Sequence, residues 1–150
     1  MGHTTTAMPY TDLKLDLAKN VLTSFAQALL PVTGSSMFPC MQPGDLLEIR
    51  RSDCPIQIGD VVVFDRHGRL VVHRVVGRTG DLLITRGDRL RYPDAPVPPA
   101  AILGCVTAIE RRGRRIAPHL TFWCRLVSTV LRHTEFGTRV ALYSVRMVRT

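Results

Sequence analysis

Between Gly34 and Glu110 the chain is cut into short β-forming runs separated by turn residues, and this rhythm constrains the fold most. The runs are Asp45–Arg50, Asp60–Phe64, Arg69–Val76, Asp81–Thr85 and Ile102–Ile109, with turn signals at Asp65-Arg66-His67-Gly68 and Gly77-Arg78-Thr79-Gly80. Strands at this spacing, mostly joined by hairpins, predict a mainly β fold with a small antiparallel, barrel-like or sandwich core. Arg91 to Ala100 carries four prolines and reads as an extended loop, because proline cannot donate to a ladder. With 150 residues, 45% of them hydrophobic, one domain of this kind needs no disulfide or metal staple.

The flanks read differently. Leu17, Ala18, Val21, Leu22, Phe25 and Leu29 recur at helical spacing between Thr11 and Pro31, which predicts an N-terminal amphipathic helix. Beyond Glu110, the apolar residues Trp123, Leu126, Val127, Val130 and Leu131 predict a C-terminal helical tail, with a second helix over Val140 to Val148. The expected organisation is therefore α+β overall: 1–33 lead-in and helix, 34–110 core, 111–150 basic tail.

Charge follows the same division. Residues 1–110 hold 11 basic and 11 acidic side chains, whereas 111–150 hold nine Arg and only Glu135, so the net charge of +8 falls in the last 40 residues. Arg125, Arg132, Arg139 and Arg146 are seven apart, a spacing that stacks them along one helix face. Two readings of the tail stand side by side. It lies on an anionic membrane surface with its arginine stems reaching outward, or its apolar stripe packs on the first helix. Nucleic acid is not expected, since the basic turn Arg111–Arg115 lacks interleaved aromatics and reads as a solvated turn. The start, Met-Gly-His-Thr-Thr-Thr, does not read as a signal peptide. The best apolar stretch, Val21 to Val32, is too short and polar to span a bilayer. A cytoplasmic or peripherally membrane-associated protein is the expectation. Cys40, Cys54, Cys105 and Cys124 have no metal-ligand spacing and read as buried thiols.

Two residues carry chemistry. Ser36 sits in Gly34-Ser35-Ser36-Met37-Phe38-Pro39, between the predicted helix and the first strand. His73 interrupts the otherwise apolar run Leu70–Val76 together with Arg74. Histidine titrates near neutral pH and can take a proton from a serine hydroxyl. Such a base needs a third group to fix its tautomer, and Asp88 and Asp94 are the candidates.

These segments resemble the type I signal peptidases of the S26 class and their S24 relatives, the self-cleaving repressor proteases. Gly34–Pro39 is similar to the box around the family's nucleophilic serine, with Gly44-Asp45 after it. Gly59-Asp60-Val61-Val62-Val63-Phe64 is similar to a family strand, and His73-Arg74-Val75-Val76-Gly77 to the box with the base. Thr85-Arg86-Gly87-Asp88 with Asp94 resembles the acidic box, and Ile102–Val106 the closing strand. His73 stands where most bacterial members place lysine, as in the endoplasmic-reticulum branch. The resemblance implies Ser36 as nucleophile, His73 as base, Asp94 as the carboxylate that orients it, and Asp88 as a structural support or a sharer of that role. Three departures accompany it: Gly34 replaces an oxyanion-holding serine, the acidic box lacks its paired asparagines, and Asp12–Leu30 does not make a spanning anchor. With Gly34 there, the oxyanion falls to backbone N–H groups, including that of Ser36.

The resemblance thus implies a serine endopeptidase that cleaves a pre-protein or precursor peptide through an acyl-enzyme, without metal or organic cofactor. The alternatives are a self-cleaving regulator and a non-catalytic protein that binds a membrane surface through its basic tail.

Overall fold

The structure, a computed structural model, describes residues 16–17, 20–22, 24–51, 55–119, 126 and 129–130. Seven strands form one antiparallel sheet: β1 (Gln27–Pro31), β2 (Leu46–Arg50), β3 (Val61–Arg66), β4 (Arg69–Thr79), β5 (Leu82–Arg86), β6 (Ile102–Arg111) and β7 (Arg114–Ile116). The order across the sheet is β1-β2-β6-β3-β4-β5. β3 pairs with the start of β6 and β7 with its end.

The five predicted runs are β2 to β6, with most ends moved by a residue or two; β4 runs three residues further, to Thr79, so that Gly77, Arg78 and Thr79 of the expected turn pair with β5 instead. Two tight hairpins follow from local chemistry. His67 and Gly68 between β3 and β4 have φ of 50° and 77°, and Arg112 and Gly113 between β6 and β7 have 51° and 72°. Consecutive left-handed residues give the turn whose twist matches paired strands. The central run Val61-Val62-Val63-Phe64 is apolar throughout because β3 is buried on both faces. Val61 and Val63 pack with Leu47, Ile49, Val106 and Ile109, while Val62 and Phe64 pack with Val75, Leu83 and Val97.

The mainly β expectation holds, and closure into a barrel does not. β1 and β5 are edges of an open sheet. The proline-rich loop explains one of them: it crosses beside β5 and makes a single bridge, Leu83 with Val97, through two backbone hydrogen bonds of 2.8 Å. Its prolines have no N–H with which to extend that bridge into a ladder.

The N-terminal helix also needs correction, because Gln27–Pro31 is a strand. Ala26 adopts φ 57° and its N–H closes on the Leu22 carbonyl, which ends the helical turn there. From Gln27 the side chains alternate, and Ala28 and Leu30 pack on the core while Leu29 stays exposed. Leu29 therefore fits both periods in the sequence, and pairing with β2 decides between them. Most of residues 11–23 and nearly all of the predicted C-terminal helices lie outside the described residues. No helix among the described residues is long and apolar enough to cross a membrane.

Candidate active site

β4 presents His73 and Arg74 side by side, and neighbouring residues of a strand face opposite sides. Each is nearly buried and each meets a different carboxylate. His73 Nδ1 lies 2.5 Å from Asp94 Oδ2, and its Nε2 lies 3.2 Å from Ser36 Oγ. With Asp94 ionised, the ring proton belongs on Nδ1, which leaves Nε2 free to accept from the serine hydroxyl.

Asp94 is fixed from three directions. Its N–H donates to the Thr85 carbonyl at 2.8 Å. The Thr85 hydroxyl donates to Oδ2 at 2.7 Å, and Arg66 Nη1 donates to Oδ1 at 2.9 Å. Burial works to raise the Asp94 pKa, but the hydrogen bonds from His73 and Thr85 and the charges of His73 and Arg66 outweigh it. The net effect holds this carboxyl below its usual 3.8. Phe64 stands edge-on to the imidazole, its ring centre 6.3 Å away.

Ser36 is held by the segment after β5. Its carbonyl accepts from the Arg89 N–H at 2.9 Å, and Arg89 Nη1 donates to the neighbouring Ser35 hydroxyl at 2.7 Å. Gly87 permits this approach, since a Cβ there would stand 2.7 Å from the Ser36 carbonyl oxygen.

Asp88 turns the other way. Both its oxygens accept from Arg74, at 2.8 Å from Nε and 2.9 Å from Nη2, in a buried bidentate pair. Arg74 also donates to the carbonyls of Gly59, at 2.8 Å, and Pro118, at 3.0 Å, which binds three loops beneath the strand. Burial opposes the Arg74 charge, yet Asp88 and Cys40 raise its pKa above the usual value.

Of the four residues singled out in the sequence, Ser36, His73 and Asp94 therefore meet in one line, while Asp88 sits behind them on Arg74. Sequence reasoning gave no role to Thr85, Arg66 or Arg89. Thr85 stood inside a quoted box, and its fully buried position on a strand is the signal that would have raised it.

A model of the Peptidase S24-like family matches residues 1–107. The chain belongs to the S24-like peptidase family. It is also similar to signal peptidase complex catalytic subunits named SEC11. It is 32% identical over 83 residues to that of Clavispora lusitaniae, covering 51% of this chain and 50% of the relative. With the Scheffersomyces stipitis protein it shares 34% over 80 residues, covering 49% and 48%. The chain spans about half the length of the curated relatives it matches.

Ser36 and His73 open onto a cleft of about 700 Å³ that runs between β1 and the first half of β4. Its walls are mostly apolar, with Leu30, Val32, Met37 and Val72 among the residues that line it. An apolar cleft that ends on a serine and an imidazole in hydrogen-bond reach has the parts for acyl transfer.

Proposed function

We propose that this chain is a serine endopeptidase of the signal-peptidase type, cutting one peptide bond in a pre-protein or precursor peptide. The single observation that carries the reading is the hydrogen-bonded line Ser36 Oγ, His73 Nε2, His73 Nδ1, Asp94 Oδ2 at 3.2 and 2.5 Å. The Ser36 hydroxyl gives its proton to Nε2 as Oγ bonds to the substrate carbonyl carbon. Asp94 keeps Nδ1 protonated and stabilises the imidazolium. Backbone N–H groups, that of Ser36 among them, receive the oxyanion. The imidazolium then protonates the leaving amine, the C–N bond breaks, and water enters by the reverse route to release the acyl group. No metal or organic cofactor is called for.

The SEC11 relatives support a pre-protein as the substrate class. The five arginines of residues 117–150 support a peripheral contact with an anionic membrane surface. The S24-like match favours a second reading, self-cleavage. Purified Ser36→Ala and His73→Ala chains are expected to lose cleavage of a precursor, and full activity in either sinks the assignment. Incubation of the wild-type chain alone separates the readings, because only self-cleavage shortens it without added substrate.

A further inference from the structure

Arg66 and Arg69 are direct partners across the tip of the β3–β4 hairpin, and both line the cleft that holds Ser36 and His73. The His67-Gly68 turn dictates this, since a two-residue hairpin pairs the residues on either side of it. Like charges directly opposite weaken a ladder. Arg66 is relieved by Asp94, 2.9 Å away. Arg69 is exposed, and no hydrogen bond or ion pair joins it to any of the described residues. No Asp or Glu lines the cleft among those residues either. The wall beside the serine and the imidazole is thus apolar and cationic.

We propose that Arg69, beside Arg66, forms an anion subsite of this cleft, which selects peptides carrying a carboxylate about four residues from the bond at Ser36. The position in the peptide rests on the reading of Ser36 as nucleophile. The selection itself does not. Arg69 precedes His73 by four strand positions, roughly 13 Å at 3.3 Å per residue. An extended peptide covers that distance in about four residues. A path is available, because β5 pairs only with Arg74–Thr79 and leaves the Arg69–Val72 half of β4 without a strand on that edge among the described residues. A carboxylate delivered there meets the cation that the hairpin leaves uncompensated.

The full chain carrying Ser36→Ala, which can hold a peptide without cutting it, tests the subsite by binding alone. It is titrated with fluorescein-labelled peptides of small neutral residues. Each carries Glu, Gln or Lys at one place about three to five residues to either side of the central bond. At one such place the Glu peptide is expected to bind about three- to fivefold tighter than Gln, with Lys weakest, and added salt should flatten the series. Adding Arg69→Ala should level the ranking, and Arg69→Glu should reverse it. Equal binding of the three peptides at every place, no binding at all, or a ranking indifferent to Arg69→Glu overturns the proposal. So does an Arg69→Glu chain that loses only sedimentation with anionic vesicles, which would make the pair a membrane contact. Cleavage of the same peptides by the wild-type chain is read separately. Ser36-dependent cleavage without charge preference removes the subsite and leaves the peptidase, whereas ranked binding without cleavage does the reverse.

Discussion

Asp94 is the residue at which burial and charge pull in opposite directions, and the charges win. Its side chain is 6% exposed, yet His73, Thr85 and Arg66 all donate or lend positive charge to it. Because its pKa is lower in the folded chain than the ordinary 3.8, Asp94 stabilises the fold fully above that value. That contribution is lost as pH falls below 3.8 through the lower folded value. Urea midpoints measured from neutral pH downward should therefore show the wild-type advantage over Asp94→Asn shrinking only in that acid window. The same substitution should lower kcat by about 10⁴-fold at neutral pH, because an amide no longer fixes the proton on Nδ1. Peptide cleavage assays on Asp94→Asn check it, and a loss under tenfold would remove Asp94 from the chemistry. Thr85→Val deletes one donor to the same oxygen and should destabilise the chain by about 1 kcal/mol, read from urea unfolding.

Between elements, the site depends on how closely the segment after β5 approaches the Ser36 loop. Gly87→Ala puts a methyl group 2.7 Å from a backbone oxygen that cannot yield without moving the serine. Cleavage should fall about 10²-fold, the effect of a displacement near 1 Å, with a smaller loss in thermal stability. Asp88→Asn attacks the support beneath: it leaves the buried Arg74 charge unbalanced and should destabilise by about 3–5 kcal/mol. Chemical denaturation measures this, and a near-neutral result would mean that Arg74 finds other partners. The strands β2 to β6 were legible because each alternates or runs apolar between turn residues. β1 was not, since Leu22, Phe25 and Leu29 satisfy a helical period that only the ladder with β2 overrules. The open edge at β5 was half legible: the prolines announced a loop, but not that the loop would occupy the strand's flank. Ser36, His73 and Asp94 were found through ordered motifs, since their separations of 37 and 21 residues carry no local signal. The resemblance already put Asp94 on the imidazole; whether Asp88 shares that role needed the strand's two faces, which send His73 and Arg74 to different carboxylates.

Across the whole molecule, the excess positive charge is less separate from the sheet than its position in the chain suggests. Arg111 donates to Asp45 at 3.0 and 2.7 Å, and Arg115 pairs with Glu48 at 2.8 Å. The basic segment at 111–115 is thus a hairpin with two arginines in ion pairs, where the sequence had suggested a solvated turn. Arg115 and Arg50 together lower the pKa of the Glu48 carboxyl, with the Arg115 hydrogen bond the largest influence. Beyond this hairpin the sequence carries Arg125, Arg132, Arg139, Arg146 and Arg149 against Glu135. Replacing the first four by Gln in the full chain should abolish co-sedimentation with anionic vesicles while leaving the peptide ranking at the cleft intact. Retained sedimentation would return the tail to the packing reading. One junction links these regions. The Pro118 carbonyl, just past β7, accepts from Arg74 beside His73 and from the Cys40 thiol beyond the Ser36 loop. One carbonyl past the last strand is thus a shared rivet: a shift of the backbone at Pro118 tugs at once on the strand that carries His73 and on the loop that carries Ser36.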